Sequence, residues 1–137
     1  MTAAGRHLFV YGLLMGGRAN GHGAEERARL KREATLVGPA SIRGQLLDLG
    51  QFPGLVDSED GRDLVHGEVY LLNEPSETFL WLDDYEDYFA GDLASSLYAR
   101  EMRTVLLSTR EALKAWVYVY VNSRQAAKRI ASGRWTA

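Results

Sequence analysis

Leu64-Val65-His66-Gly67-Glu68-Val69-Tyr70-Leu71-Leu72 runs through Asn73-Glu74 into Pro75-Ser76-Glu77-Thr78-Phe79-Leu80-Trp81-Leu82-Asp83-Asp84-Tyr85-Glu86. The first part, rich in branched and aromatic residues, predicts a strand over 64–72, with Gly67 marking a bulge or a close backbone approach. The second predicts an amphipathic helix from Pro75 to about Tyr85. Asn73 and Ser76 are its candidate caps, and Glu74 and Glu77 suit the positive end of its dipole. Phe79 and Leu82 are three residues apart, Glu86 is four further on, and Trp81 and Tyr85 flank the stripe. These spacings place Glu86 on the apolar face, with Asp83, Asp84 and Asp87 at the rim or beyond it.

Upstream, His7 to Tyr11 reads as a strand that runs into Gly12-Leu13-Leu14-Met15-Gly16-Gly17. Glycines at both ends of that segment predict a loop. Ala24 to Glu33 is a run of helix formers with a thin apolar face of Ala24, Ala28 and Leu30. Strand signals follow at Thr35 to Val37, break at Gly38-Pro39, and resume over Ser41 to Leu49. A short strand at Leu55-Val56 precedes the turn Asp57 to Gly61. Downstream, an irregular stretch over Asp87 to Ser96 leads to strands at Tyr98 to Leu107 and Leu113 to Val121. A helical turn is expected over Arg124 to Arg129. Six or seven short strands and two helices that do not alternate argue against a doubly wound parallel sheet. They predict an α+β fold with a curved, mostly antiparallel sheet or small barrel.

The chain has 137 residues, the size of a single domain over 1–137 with room for one core. Its 16 basic and 18 acidic residues leave a formal charge of −2, which does not suit a nucleic-acid-binding surface. Cysteine is absent, which excludes disulfides, thiolate metal sites and a cysteine nucleophile. His7, His22 and His66 are scattered without ligand spacing, so no metal is expected. No apolar run suits a membrane span or a leader peptide, and a cytoplasmic location is the default expectation. There is no Gly-x-Ser-x-Gly elbow and no phosphate-binding glycine motif. Trp116, Tyr118 and Tyr120 share one face of the last long strand and read as packing rather than as a platform for bases.

Two features carry chemistry. A carboxyl held against aromatic and aliphatic neighbours gains proton affinity, because desolvation disfavours its charge, and this makes a general acid–base near neutral pH. Glu86 fits that description if the stripe is buried, and is a solvated residue of the last turn if it is not. The glycine-bearing loop after Tyr11 either turns the chain for steric reasons, which glycine placement favours, or converges backbone N–H groups on an anion.

Taken in order, the segments Phe9-Val10-Tyr11-Gly12-x-Leu14, Gly44 to Leu55, Val65 to Tyr70, Leu82-Asp83-Asp84-Tyr85-Glu86, Tyr98-Ala99-Arg100, Trp116 to Tyr120 and Ile130 to Trp135 resemble the γ-glutamylcyclotransferase-like family. The resemblance is strongest to its γ-glutamylamine cyclotransferase (AIG2-like) branch and covers nearly the whole chain. It implies a small β-barrel with flanking helices and a transferase- or lyase-type intramolecular cyclisation. A γ-glutamyl amine or peptide closes to 5-oxoproline and releases its amine, without a cofactor. It also implies that Glu86 is the acid–base residue, that Tyr11, Gly12, Leu13 and Leu14 bind the substrate, and that Tyr98 lies near the cavity. The family usually carries Ser or Thr where this chain has Leu13, so a hydroxyl contact at that position is lost while backbone contacts are kept. The expected partner is a small-molecule γ-glutamyl substrate, not a nucleic acid or a membrane. Rival readings are a binding module that kept the pocket without the chemistry, and a different acyl-removing enzyme on the same barrel.

Overall fold

The computed structural model describes residues 5–12, 23–50, 52–58, 61–122 and 127–135. In chain order the elements are β1 (His7–Val10), α1 (Ala24–Glu33), β2 (Ala34–Arg43), β3 (Gln45–Asp48), β4 (Pro53–Val56), β5 (Leu64–Leu72), α2 (Pro75–Tyr85), a 3-10 turn at Leu93–Ser95, β6 (Tyr98–Leu107), β7 (Ala112–Tyr120) and β8 (Lys128–Arg129).

The strands follow one another around the sheet as β1-β5-β2-β6-β7, and a parallel pairing of Leu8 with Trp116 joins β1 back to β7. The result is a closed barrel, the architecture expected from the strand count and from the family resemblance. β4, β3 and β8 extend the sheet from β7, with Leu55 of β4 opposite Val119. β1 and β4 thus share one edge of β7, β1 at its middle and β4 nearer its C-terminal end.

Alternation along the strands sorts the core into two clusters. Phe9, Val65, Val69, Val105, Val117 and Val119 point to one side and, with Ile42, Leu46 and Leu55, form one of them. Leu8, Val10, Tyr70, Leu72, Tyr118 and Tyr120 point to the other and meet Leu30 of α1 and Phe79 and Leu82 of α2. Only glycine fits at position 67, because a Cβ there would lie 2.1 Å from the Val10 carbonyl oxygen. The close approach expected at Gly67 is therefore to the end of β1, just past the last residue pair of its antiparallel ladder with β5.

Several boundaries differ from the sequence expectations. β2 continues through Gly38-Pro39, absorbing them in a register shift against β5 between Leu36 and Gly38. α1 buries Leu30 and Arg27, while Ala24 and Ala28 stay exposed. Neither Asn73 nor Ser76 caps α2; Glu74 holds the cap position without a side-chain bond, and Pro75 opens the helix. Lys128 and Arg129 pair with Asp48 and Leu47 as a strand rather than forming a helical turn. The preceding residues 123–126 lie outside the described set.

Candidate active site

The end of α2 sets the site. Asp87 N–H donates to the Asp84 carbonyl and Tyr88 N–H to the Asp83 carbonyl, at 3.1 and 2.9 Å. This is the bond pair of a Schellman end, and its left-handed residue is Asp87, at φ 52°. Aspartate tolerates that conformation better than most residues. Glu86 is the helix C-cap immediately before it, with its own N–H on the Leu82 carbonyl at 2.9 Å. The chain turns sharply away after Glu86.

A cavity of about 230 Å³ opens at this point. Glu86 and Asp87 line it from the end of α2, Tyr11 and Gly12 from the end of β1, Phe52 and Pro53 from the entry to β4, Tyr98 from β6 and Tyr118 from β7. Of the residues expected at a substrate site, Glu86, Tyr11, Gly12 and Tyr98 are brought together. Leu13 and Leu14 lie outside the described residues.

The fork between β1 and β4 explains why these groups converge. The Tyr11 hydroxyl donates to the Tyr118 carbonyl at 2.6 Å and accepts the Leu55 N–H at 3.0 Å. It bridges β7 and β4 where β1 has left the ladder. The Tyr98 hydroxyl donates to the Pro53 carbonyl at 2.5 Å. Gly12 passes so close to the Pro53 ring that a Cβ would stand 2.8 Å from its Cγ. Burial pushes the phenols of Tyr11, Tyr98 and Tyr118 well above the usual tyrosine range. They are neutral walls whose hydroxyls are engaged by the scaffold.

Glu86 is different. Some solvent reaches it through the cavity, but protein surrounds its carboxyl, and no cation or hydrogen-bond donor among the described residues meets it. Desolvation, reinforced by the nearby charges of Asp87 and Asp83, pushes its pKa up from 4.5 to about 8. The apolar-face position read from the sequence therefore corresponds to an enclosed carboxyl whose proton affinity is raised.

Asp83, expected at the rim of the apolar face or beyond it, is partly buried and tied into the structure. Its carboxylate accepts from Arg100 Nε at 2.8 Å, Arg100 Nη2 at 3.2 Å and the Tyr118 hydroxyl at 2.6 Å. Sequence reading assigned no site role to Tyr118, Tyr85, Phe52 or Pro53. Period two on β7 put Tyr118 on the right face, but only the register, with Arg100 opposite Tyr118 and Tyr98 opposite Tyr120, places it at the cavity. Among the described residues, no three of His, Asp and Glu converge as metal ligands. None of the described helices is long and apolar enough to cross a membrane.

The profile of the family described as gamma-glutamyl cyclotransferase, AIG2-like, matches residues 8–137. The chain belongs to this family. The gamma-glutamylcyclotransferase family protein YtfP of Escherichia coli K12 is 35% identical over 129 residues, covering 93% of this chain and 94% of that protein. The solution structure of the Escherichia coli protein superposes with a TM-score of 0.62 at 32% identity, covering 94% and 95% of the two chains. An AIG2-like protein from Mus musculus has the same fold at a TM-score of 0.65 and 24% identity, over 86% of this chain and 78% of that one. In YkqA from Bacillus subtilis the fold recurs at a TM-score of 0.66 and 24% identity; it covers 95% of this chain but only 39% of that longer one.

Proposed function

We propose that this protein cyclises γ-glutamyl amines or peptides to 5-oxoproline and releases the amine, with Glu86 as the general acid–base. The observation that carries the reading is an enclosed carboxyl that meets no cation among the described residues, with its pKa raised to about 8, in a small cavity of a gamma-glutamylcyclotransferase-family chain. A cavity of about 230 Å³ suits a head group of amino-acid size.

In this reading the substrate's α-ammonium gives a proton to the Glu86 carboxylate, and the freed amine attacks the γ-carbonyl carbon. A C–N bond forms and closes the five-membered ring. The ring nitrogen, left with two protons after the attack, gives up one of them, and the bond to the departing nitrogen breaks as that nitrogen takes up this proton and the one held by Glu86 and leaves as an ammonium. No net proton is consumed by the enzyme, and both reacting groups belong to one molecule. Holding the folded conformer against the tyrosine walls therefore supplies much of the rate. The arriving ammonium favours the ionised form of Glu86, and a carboxyl near pKa 8 gives its proton back readily. Backbone N–H groups from Gly12 to Leu14 hold the substrate carboxylate or the carbonyl oxygen, and Tyr98 bounds the ring-forming end.

The test is incubation with a panel of γ-glutamyl amines and peptides and assay for 5-oxoproline, with Glu86→Gln alongside. Wild type should produce it and the variant should not. Equal activity in the two would remove Glu86 from the mechanism. Binding of γ-glutamyl compounds without turnover by the wild type would replace the enzyme with a binding module.

A further inference from the structure

We propose that Asp83 and Arg100 are positioning residues for the Glu86 carboxyl: their ion pair fastens the end of α2 to β6 and keeps the guanidinium engaged away from the cavity acid. The proposal rests on the reading of Glu86 as the acid–base.

Asp83 precedes Glu86 by one helical turn and is anchored at both ends. Its carbonyl closes the helix by accepting Tyr88 N–H, and its carboxylate takes the Arg100 fork and the Tyr118 hydroxyl. The Arg100 and Asp83 side chains are only 18% and 23% exposed, which makes their two-pronged bond a stiff one. The guanidinium also lies over Phe79 of α2, 3.8 Å from the ring centre, and 4.5 Å from that of Trp116 on β7. Helix end, β6 and β7 thus meet at a single charged joint, and Glu86 projects from that joint into the cavity.

The joint also sets the local charge. Facing Glu86 are Asp87 and Tyr85 from the end of α2, Tyr11 from β1, Tyr98 from β6 and Tyr118 from β7. Burial raises all four phenols, so they are neutral where Glu86 titrates. Asp83 raises the proton affinity of Glu86, and Arg100 offsets that charge while the pair is intact. Removing either partner should move Glu86 in opposite directions.

The experiment reads the Glu86 carboxyl by carbon-13 NMR titration, together with the pH dependence of kcat/KM for 5-oxoproline release. Wild type, Asp83→Asn, Arg100→Gln and Arg100→Lys are compared, with circular dichroism to verify folding. Asp83→Asn should lower the titration midpoint and the acid limb by about one pH unit, and Arg100→Gln should raise both by a similar amount. Arg100→Lys keeps the charge but not the fork. It should hold the midpoint within a few tenths of a unit while kcat falls about tenfold from loosened geometry. Midpoints that move in the same direction in the first two variants, or stay fixed, overturn the proposal. If Arg100→Gln does not fold, the contrast of Asp83→Asn with Arg100→Lys decides: a shifted against an unshifted midpoint supports it, and equal midpoints overturn it. The titration needs no turnover, so a failure of Glu86 as the acid–base, seen in Glu86→Gln, is distinct from a failure of this coupling.

Discussion

Two partly enclosed glutamates sit in opposite circumstances on either side of α2. Glu33, the last residue of α1, meets the middle of α2 and accepts hydrogen bonds from Thr78 Oγ1 at 2.6 Å and Trp81 Nε1 at 3.0 Å, with Arg29 Nε at 2.9 Å. Burial alone would raise its pKa, but these three donors and the arginine charge outweigh it and hold the carboxyl below its ordinary value. Glu86, at the far end of the same helix, has no such donor among the described residues, so desolvation wins and its pKa rises to about 8. Burial and partners together separate a carboxylate that joins elements from one whose proton affinity is raised. Glu33 joins α1 to α2, whereas Glu86 is held in place by its backbone and its neighbours while its own carboxyl is left open to a ligand.

The largest expected effect breaks the reactive half of this pair. Glu86→Gln keeps the shape and should lower kcat/KM for 5-oxoproline release by about 10²–10⁴-fold, the usual contribution of a positioned acid–base. The same variant should be more stable than wild type at alkaline pH. A carboxyl whose folded pKa is about 8 against 4.5 for the ordinary value leaves the folded state holding more protons between those limits. Its contribution is therefore fully present below pH 4.5 and is lost as pH rises through about 8. Urea titrations at pH 9 should favour Glu86→Gln by about 1–3 kcal/mol, and the gap should close towards pH 4.

On the structural side, Glu33→Ala should remove about 1–3 kcal/mol of stability at neutral pH, since Thr78 and Trp81 lose their shared acceptor. Its folded pKa is lowered, so this contribution exists above the ordinary carboxyl pKa and is lost as pH falls through the folded value. Chemical denaturation across pH 3 to 7 would show the wild-type advantage fading only at the acid end, with 5-oxoproline release by the variant unchanged at neutral pH. The smallest effect is that of Tyr98→Phe. It leaves the Pro53 carbonyl without its hydroxyl partner and should destabilise by about 1 kcal/mol in the same assay.

Much of this arrangement was legible one element at a time. The bounds of α1, β5 and β6 follow from runs of helix or strand formers, and Gly67 announced a close backbone approach. The Phe79–Leu82–Glu86 spacing singled out the cavity carboxyl, because α2 buries the stripe that precedes it. Legibility failed where long-range pairing overrode local signals. Gly38-Pro39 looks like a break, but β5 holds β2 together through a shifted register. Lys128-Arg129 has no strand signal of its own and becomes one by pairing with β3. Asp83 reads only as a residue at or beyond the rim of the apolar face, because nothing local points to Arg100 on the strand that follows.

The sequence by itself determined the extents of α1, α2, β5 and β6, the sidedness of their residues and the identity of the acid on the apolar stripe, all consequences of local propensity and the helix and strand periods. Only the tertiary structure decided that β1 closes on β7 and then yields that edge to β4. Through that fork the Tyr11 hydroxyl bridges two strands and a cavity opens below Glu86. The physical reason is that a carboxyl's proton affinity depends on which charges and donors surround it. The charges beside Glu86, Asp87 and Asp83, are its neighbours in the chain, but the larger cause is desolvation, and the walls that enclose the carboxyl come from β1, β6, β7 and the entry to β4.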